Sequence, residues 1–204
     1  MAFSSELLAR LALAICKCER CPLVQGRTQA VPGEGAPDAR VMLIGEGPGA
    51  QEDESGRPFV GAAGQLLDKL LARAGLRREE VFITNVVKCR PPGNRDPQPV
   101  ETEMCKPFLK RQIELIRPKV VCQLGRIAGA VMMGHPIQIS KVHGQRFIGP
   151  GYFNVPVYHP AAALRTPSTL GTLQEDFEKL KVYLTEEESP PDPPAPEPEQ
   201  MGLF

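Results

Sequence analysis

The stretch Val41-Met42-Leu43-Ile44-Gly45-Glu46-Gly47-Pro48-Gly49 constrains the fold more than any other part of the chain. Four consecutive apolar residues ending at a glycine read as a strand buried on both faces, the pattern of a parallel sheet. Glycines then occupy positions 45, 47 and 49. A backbone without side chains lets a ligand come close, and open α/β sheets place their sites at the carboxyl ends of strands. The spacing is not that of a dinucleotide loop. The third glycine of G-x-G-x-x-G is missing, and Pro48 lacks the N–H that a pyrophosphate would use. Two carboxylates, Glu52 and Asp53, follow at once.

The apolar-run pattern recurs at residues 81–87, 119–125 and 155–160, which read as three more strands. Helical periodicity marks residues 61–75, 99–116, 126–133 and 172–184. Residues 5–15 read as an opening helix with Ser4 or Ser5 as its N-cap. Residues 22–40 and the proline-rich stretch 88–97 read as loops, and 135–154 as loops with a hairpin. Strands alternating with helices imply a parallel sheet covered on both faces.

The formal net charge is zero, but it is unevenly spread. Glu186, Glu187, Glu188, Asp192, Glu197 and Glu199 follow Thr185 with no Lys or Arg among them, leaving 24 basic against 18 acidic side chains before them. A basic body with an acidic, proline-rich tail suits a polyanionic partner. Residues 1–185 are expected to form one domain and residues 186–204 a disordered tail. No apolar run is long enough to span a membrane, and residues 7–15 make no convincing signal peptide. A monomer in the cytoplasm is expected.

Four cysteines form a plausible set: Cys18 and Cys21 at C-x-x-C spacing, Cys89 in a loop and Cys105 in a helix. In a cytosolic chain they are not expected to pair as disulfides. Thiolates without histidine suit a [4Fe–4S] cluster or structural zinc, and spacing does not separate the two. Cys122, inside a strand, reads as a small buried apolar residue, and Cys16 is left over. Gly45–Gly49, Asn85 and His159 all fall at carboxyl ends of expected parallel strands, so they should converge on one edge of the sheet. With Phe59 as an aromatic face, they would form a pocket for a planar heterocycle. His135 and His143 are taken as structural.

These residues carry a resemblance. Gly45-Glu46-Gly47-Pro48-Gly49 with Glu52-Asp53, Arg57-Pro58-Phe59-Val60-Gly61, and Thr84-Asn85-Val86-Val87-Lys88-Cys89-Arg90-Pro91-Pro92 with Asn94-Arg95 belong to it. So do Cys105-x-Pro107-Phe108-Leu109 and His159-Pro160-Ala161-Ala162. In order and spacing, over roughly residues 16–184, the chain resembles the family 4 uracil-DNA glycosylases, the thermophile type with an iron–sulfur cluster. The resemblance implies a three-layer α/β/α sandwich with a central four-stranded parallel sheet. It also implies a [4Fe–4S] cluster on Cys18, Cys21, Cys89 and Cys105, and uracil-containing DNA as substrate.

The roles expected from it follow the chemistry of base excision. The nucleotide must be flipped out of the duplex. Phe59 would stack on the base, and Asn85 would read its O4 and N3–H edge. Glu52, or Glu46 as the alternative, would exclude the thymine methyl. His159, with backbone near Gly47, would stabilise charge on uracil O2. Related family 1 enzymes carry an aspartate where this chain has Gly47, so Glu46 or Asn94 would position the attacking water. No motif lysine offers a Schiff base, and residues 88–99 contain no histidine to trap the product. Turnover without strand cleavage is therefore expected. Leu164 would wedge into the vacated stack, and Arg90, Arg95, Lys141 and Arg165 would meet phosphates. The last residues, Gln200-Met201-Gly202-Leu203-Phe204, resemble the bacterial sliding-clamp-binding motif Gln-x-x-Leu-Phe, with Gln200, Leu203 and Phe204 as contacts. This places the expected enzyme in a bacterial cytoplasm, working at the nucleoid. The competing readings are a non-catalytic iron–sulfur DNA-binding or redox module and a zinc-stabilised nucleotide-binding protein.

Overall fold

The computed structural model describes residues 2–192. Helix α1 (Ala2–Cys16) leads through a 3-10 turn at Pro22–Gly26 to a two-residue strand, β1 (Glu34–Gly35). Next come β2 (Val41–Gly45), α2 (Ala50–Ser55), α3 (Ala62–Arg73), β3 (Phe82–Asn85) and α4 (Pro99–Ile116). They are followed by β4 (Val120–Leu124), α5 (Arg126–Met133), α6 (Ile139–Val142) and β5 (Phe147–Ile148). The series closes with β6 (Phe153–Val157), α7 (Pro160–Arg165) and α8 (Pro167–Thr185).

The strands form one sheet in the order β1-β3-β2-β4-β6-β5. The inner four are parallel, and β1 and β5 join the edges antiparallel. The expected four-stranded parallel sheet is therefore the centre of a six-stranded one. The edge strands pair over only two residues each, too few to leave a periodic signal in sequence. Ser4 and Ser5 do not cap α1 but lie inside it. The expected hairpin is the β5–β6 pair.

Each inner strand feeds both faces, because side chains alternate across a sheet. Val41 and Leu43 of β2 join Leu67, Leu70, Leu173 and Phe177 on the face covered by α3 and α8. Met42 and Ile44 join Leu11, Ile15, Phe108 and Leu109 on the face covered by α1 and α4. The crossover helices of a parallel sheet thus lie on both of its faces, and β2 sits between β3 and β4 where the strand order reverses. That reversal point, at the carboxyl ends of the strands, is where such sheets open a crevice.

The boundary after Thr185 coincides with the end of α8. The first acidic residues beyond it are tied back to the body, with Glu186 and Glu188 both paired to Arg146. The Gln200–Phe204 motif lies outside the described residues. Among the described residues no helix is long and apolar enough to cross a membrane.

Candidate active site

Parallel pairing sets Gly45 of β2 directly beside Asn85 of β3. Asn85 is 1% exposed, and its Oδ1 has no hydrogen-bond partner among the described residues. A Cβ on Gly45 would lie 2.3 Å from that oxygen and 2.7 Å from the Phe59 ring. Glycine is thus required here for space, and the orphan amide oxygen and the aromatic face meet over it. A buried acceptor without a donor is costly and calls for an explanation.

Phe59 sits at φ 51°, in the left-handed region that a bulky residue rarely occupies. The guanidinium of Arg78 holds it there, donating to the carbonyls of Pro58 at 2.5 Å and Phe59 at 3.3 Å. Arg78 is itself fixed by Glu34 and Asp68. From the other side Glu52 gathers the loops: Oε1 accepts the N–H groups of Val60 and Gly61 and Oε2 that of Gly49. Asp53 accepts the N–H of Thr28 on both oxygens. The two carboxylates that followed the glycines in sequence therefore organise backbone.

His159 follows β6 and starts α7, its ring centroid 5.8 Å from that of Phe59. Its Nδ1 accepts the N–H of Ala161 at 3.1 Å, which leaves the ring proton on Nε2. Burial pushes its pKa down to about 4, helped by Arg165 and opposed by Glu52. A neutral imidazole that donates from Nε2 is the result. Gly125, at φ 98°, backs the ring: a Cβ there would lie 3.1 Å from that of His159. Glu46 lies just past β2. Burial, then the nearby Asp96, raise its pKa to about 7, while Arg126 opposes them.

Cys18, Cys21, Cys89 and Cys105 line one cavity, walled also by Arg27 and Lys88. Arg27 donates to the Cys89 sulfur at 3.1 Å. Burial pushes the Cys89 thiol up, and Cys105 to about 11, so bare thiolates there need a cationic partner. Among the described residues, no three His, Cys, Asp or Glu side chains close around a single ion. Four sulfurs around one hollow are compatible with a thiolate-bound metal group. Cys122 is fully buried in β4, while Cys16 is exposed at the end of α1.

Among the remaining candidates, Leu164 is 53% exposed on α7. Arg165 is exposed beside it, and Lys141 is exposed on α6. Arg95 is committed to Glu101, which is itself buried, with both nitrogens engaged. Arg90 donates to Asn94 Oδ1 at 2.7 Å, and Asn94 is exposed at φ 55°.

Comparison with known proteins accords with this geometry. Residues 32–184 match the model of the uracil DNA glycosylase superfamily. A type-4 uracil-DNA glycosylase of Sulfurisphaera tokodaii is 46% identical over 86% of this chain and 84% of its own. The type-4 uracil-DNA glycosylase of Thermotoga maritima is 45% identical over 89% and 97%. That of Saccharolobus solfataricus is 48% identical over 83% and 82%. The chain belongs to the type-4 uracil-DNA glycosylases.

In this family member the strand-end residues Gly45, Asn85 and His159 meet as expected, with Phe59 between them. Sequence reasoning missed the residues that hold them. Arg78 and Glu34, Arg27 beside Cys89, and Gly125 behind His159 are all far in sequence from what they fix. Lys88, in the quoted motif, was also passed over. It is 1% exposed, and its Nζ donates to Thr84 Oγ1, Asn85 O and Gln112 Oε1 at 2.6–2.7 Å. Burial draws it down to about 7. Three accepting oxygens require three protons, which only the ammonium carries.

Gly45→Ala forces a methyl into the contact between Asn85 and Phe59. It is expected to cost about 1–3 kcal/mol in denaturant unfolding. Gly26→Ala, with nothing within 4 Å of its Cβ, serves as the control and should change little. Equal effects at the two positions would contradict the crowding at Gly45.

Proposed function

We propose that this chain hydrolyses the N-glycosidic bond of uracil in DNA, leaving free uracil and an abasic site. The unpartnered Asn85 Oδ1 carries the reading. Uracil presents a donor at N3–H and an acceptor at O4, so an amide can satisfy both with its oxygen and nitrogen. Cytosine reverses both groups and would leave buried polar atoms unpaired, which hydrogen-bonding sites turn into about 10⁴-fold discrimination. The Phe59 ring offers a stacking face, and Glu52 holds that face in place and crowds the pocket beside it.

Bond cleavage leaves positive character on the sugar and negative charge on uracil O2. The neutral His159, donating from Nε2, suits that oxygen. Water then adds to C1′, giving one proton to solvent or a base, and uracil leaves with the bonding pair and takes up a proton. Glu46 fits the base better than Asn94 does, because the Asn94 amide oxygen is engaged by Arg90. Leu164, exposed beside Arg165, supports the wedge assignment. Arg90, Arg165 and Lys141 are the proposed phosphate contacts, with Arg95 supporting the loop through Glu101. The protein would act as a monomer in the cytoplasm.

The four cysteines would hold a [4Fe–4S] cluster, which supplies a rigid cross-link between the loop after β3, α4 and the turn after α1. Their common cavity and all-thiol chemistry admit either group, and membership of the type-4 family supports the cluster over zinc. Residues 1–185 would be the catalytic unit and 186–204 a tether presenting Gln200, Leu203 and Phe204 to a sliding clamp, a reading supported by sequence alone.

An oligonucleotide with one uracil tests the reaction. The protein should release free uracil, the strand staying whole until alkali, with Asn85→Ala and His159→Ala slower by about 10²-fold or more. Tight DNA binding without any base release would favour the non-catalytic module. Deleting Leu203 and Phe204 should abolish clamp binding and spare release; lost release would refute that division.

The pH dependence tests Glu46. A base must be deprotonated, so release should fall as pH drops through about 7, and Glu46→Gln should flatten the profile. His159 stays neutral well below that pH and adds no inflection near 7. A flat wild-type profile would remove Glu46 as the base. Metal analysis should find iron and sulfide with visible absorption, whereas colourless protein with zinc would replace the cluster assignment.

A further inference from the structure

The residue that joins the cysteine cavity to the base pocket is Lys88. It lines the cavity together with Cys18, Cys21, Cys89 and Cys105. Its side chain turns back along the chain to the residues before it. Nζ reaches the carbonyl of Asn85 at 2.7 Å and Thr84 Oγ1 at 2.6 Å, both at the end of β3. The third contact is Gln112 Oε1, at 2.7 Å, on α4.

The surrounding bonds fix the polarity of this network. Gln112 Nε2 donates to Pro32 O at 2.6 Å and Thr84 Oγ1 to the same carbonyl at 3.1 Å. The oxygens of both side chains are thereby left to accept from Lys88. A lysine with every donor used and no solvent contact has little freedom to move. The carbonyl it grips belongs to Asn85, whose side-chain oxygen is buried beside Phe59 with no partner among the described residues.

We propose that Lys88 is a positioning residue for base recognition: its buried side chain pins the end of β3 and thereby aims the Asn85 amide. This rests on the uracil reading of the pocket. Lys88 touches neither the base nor the sugar, and it acts through Asn85. Its removal should leave DNA binding intact and reduce the rate of excision from bound DNA. Because the effect runs through one side chain, it should vanish once that side chain is gone.

The experiment is single-turnover uracil release by Lys88→Met, Asn85→Ala and the double variant, all in the full chain with visible absorption and melting temperature recorded. Lys88→Met is expected to keep the absorption and the DNA affinity of the wild type and to release uracil about 10- to 100-fold more slowly. The double variant should match Asn85→Ala within about twofold, the signature of residues acting as one unit. Gln112→Met removes one acceptor of Lys88, together with the donor to Pro32 O, and leaves Lys88 and the cysteine loop unsubstituted. It should slow release about threefold or more alone and not at all on top of Asn85→Ala.

Independent, multiplying effects of Lys88→Met and Asn85→Ala would overturn the proposal. So would a Lys88→Met variant whose slower release follows only from lost visible absorption, with Gln112→Met behaving as wild type. If Lys88→Met does not fold, the Gln112→Met pair decides in the same way. Failure of the wild type to release uracil would instead overturn the reading of the pocket, and the role of Lys88 with it.

Discussion

The site depends on one pairing register, Gly45 beside Asn85 in adjacent parallel strands. Because neither residue can slide without turning the alternation of both strands inside out, the hydrophobic pattern of β2 and β3 fixes it. Val41, Leu43 and Ile83 must face α3 and α8, and Met42, Ile44 and Phe82 must face the opposite layer. Once those faces are chosen, the end of β3 delivers an amide to the one position of β2 that carries no side chain. Phe59 enters the space that this creates, and His159 approaches from the carboxyl end of β6, two strands along from β2.

Polar groups at this edge divide into those satisfied by protein and those left for a ligand. Glu52, Asp53, Arg78, Arg95 and Lys88 are saturated by backbone or by partners. Asn85 Oδ1 is not. His159 is held neutral, with one nitrogen occupied and the other presented. The division shows why carboxylates beside a glycine loop are a poor guide to catalysis. A carboxylate that accepts three N–H groups is fixed in place, which serves architecture.

Much of this was legible in the sequence. The four inner strands, the helices at 99–116 and 126–133, and the convergence of Gly45, Asn85, Phe59 and His159 follow from periodicity and from strand ends. The edge strands did not, because two residues give no alternation to read. The helix at 50–55 was hidden by its shortness and by the proline and glycines before it. The clamp of Arg78 on Phe59 and the contact of Arg27 with Cys89 were illegible for another reason. Residues 62 apart meet only after the sheet has formed, and nothing in their local context announces the partner. Lys88 shows the converse: a lysine beside a cysteine reads as a surface charge, and only the three oxygens around it reveal that it is interior.

The sulfur-lined cavity draws Cys18 and Cys21 from the turn after the first helix and Cys105 from α4. On a ribosome the first two emerge long before the last, with the central strand and its neighbour β3 still to be made between them. They spend that interval as unprotected thiols. Bringing all four sulfurs together must therefore wait until more than half of the chain has been synthesised, and a group held by them would close a loop that contains Gly45, Phe59 and Asn85 but not His159. Because the entropy of closing such a loop grows only with the logarithm of its length, the long separation adds little to the thermodynamic demand. Its effect is on timing: oxidants and stray metals reach the early cysteines before the late ones arrive.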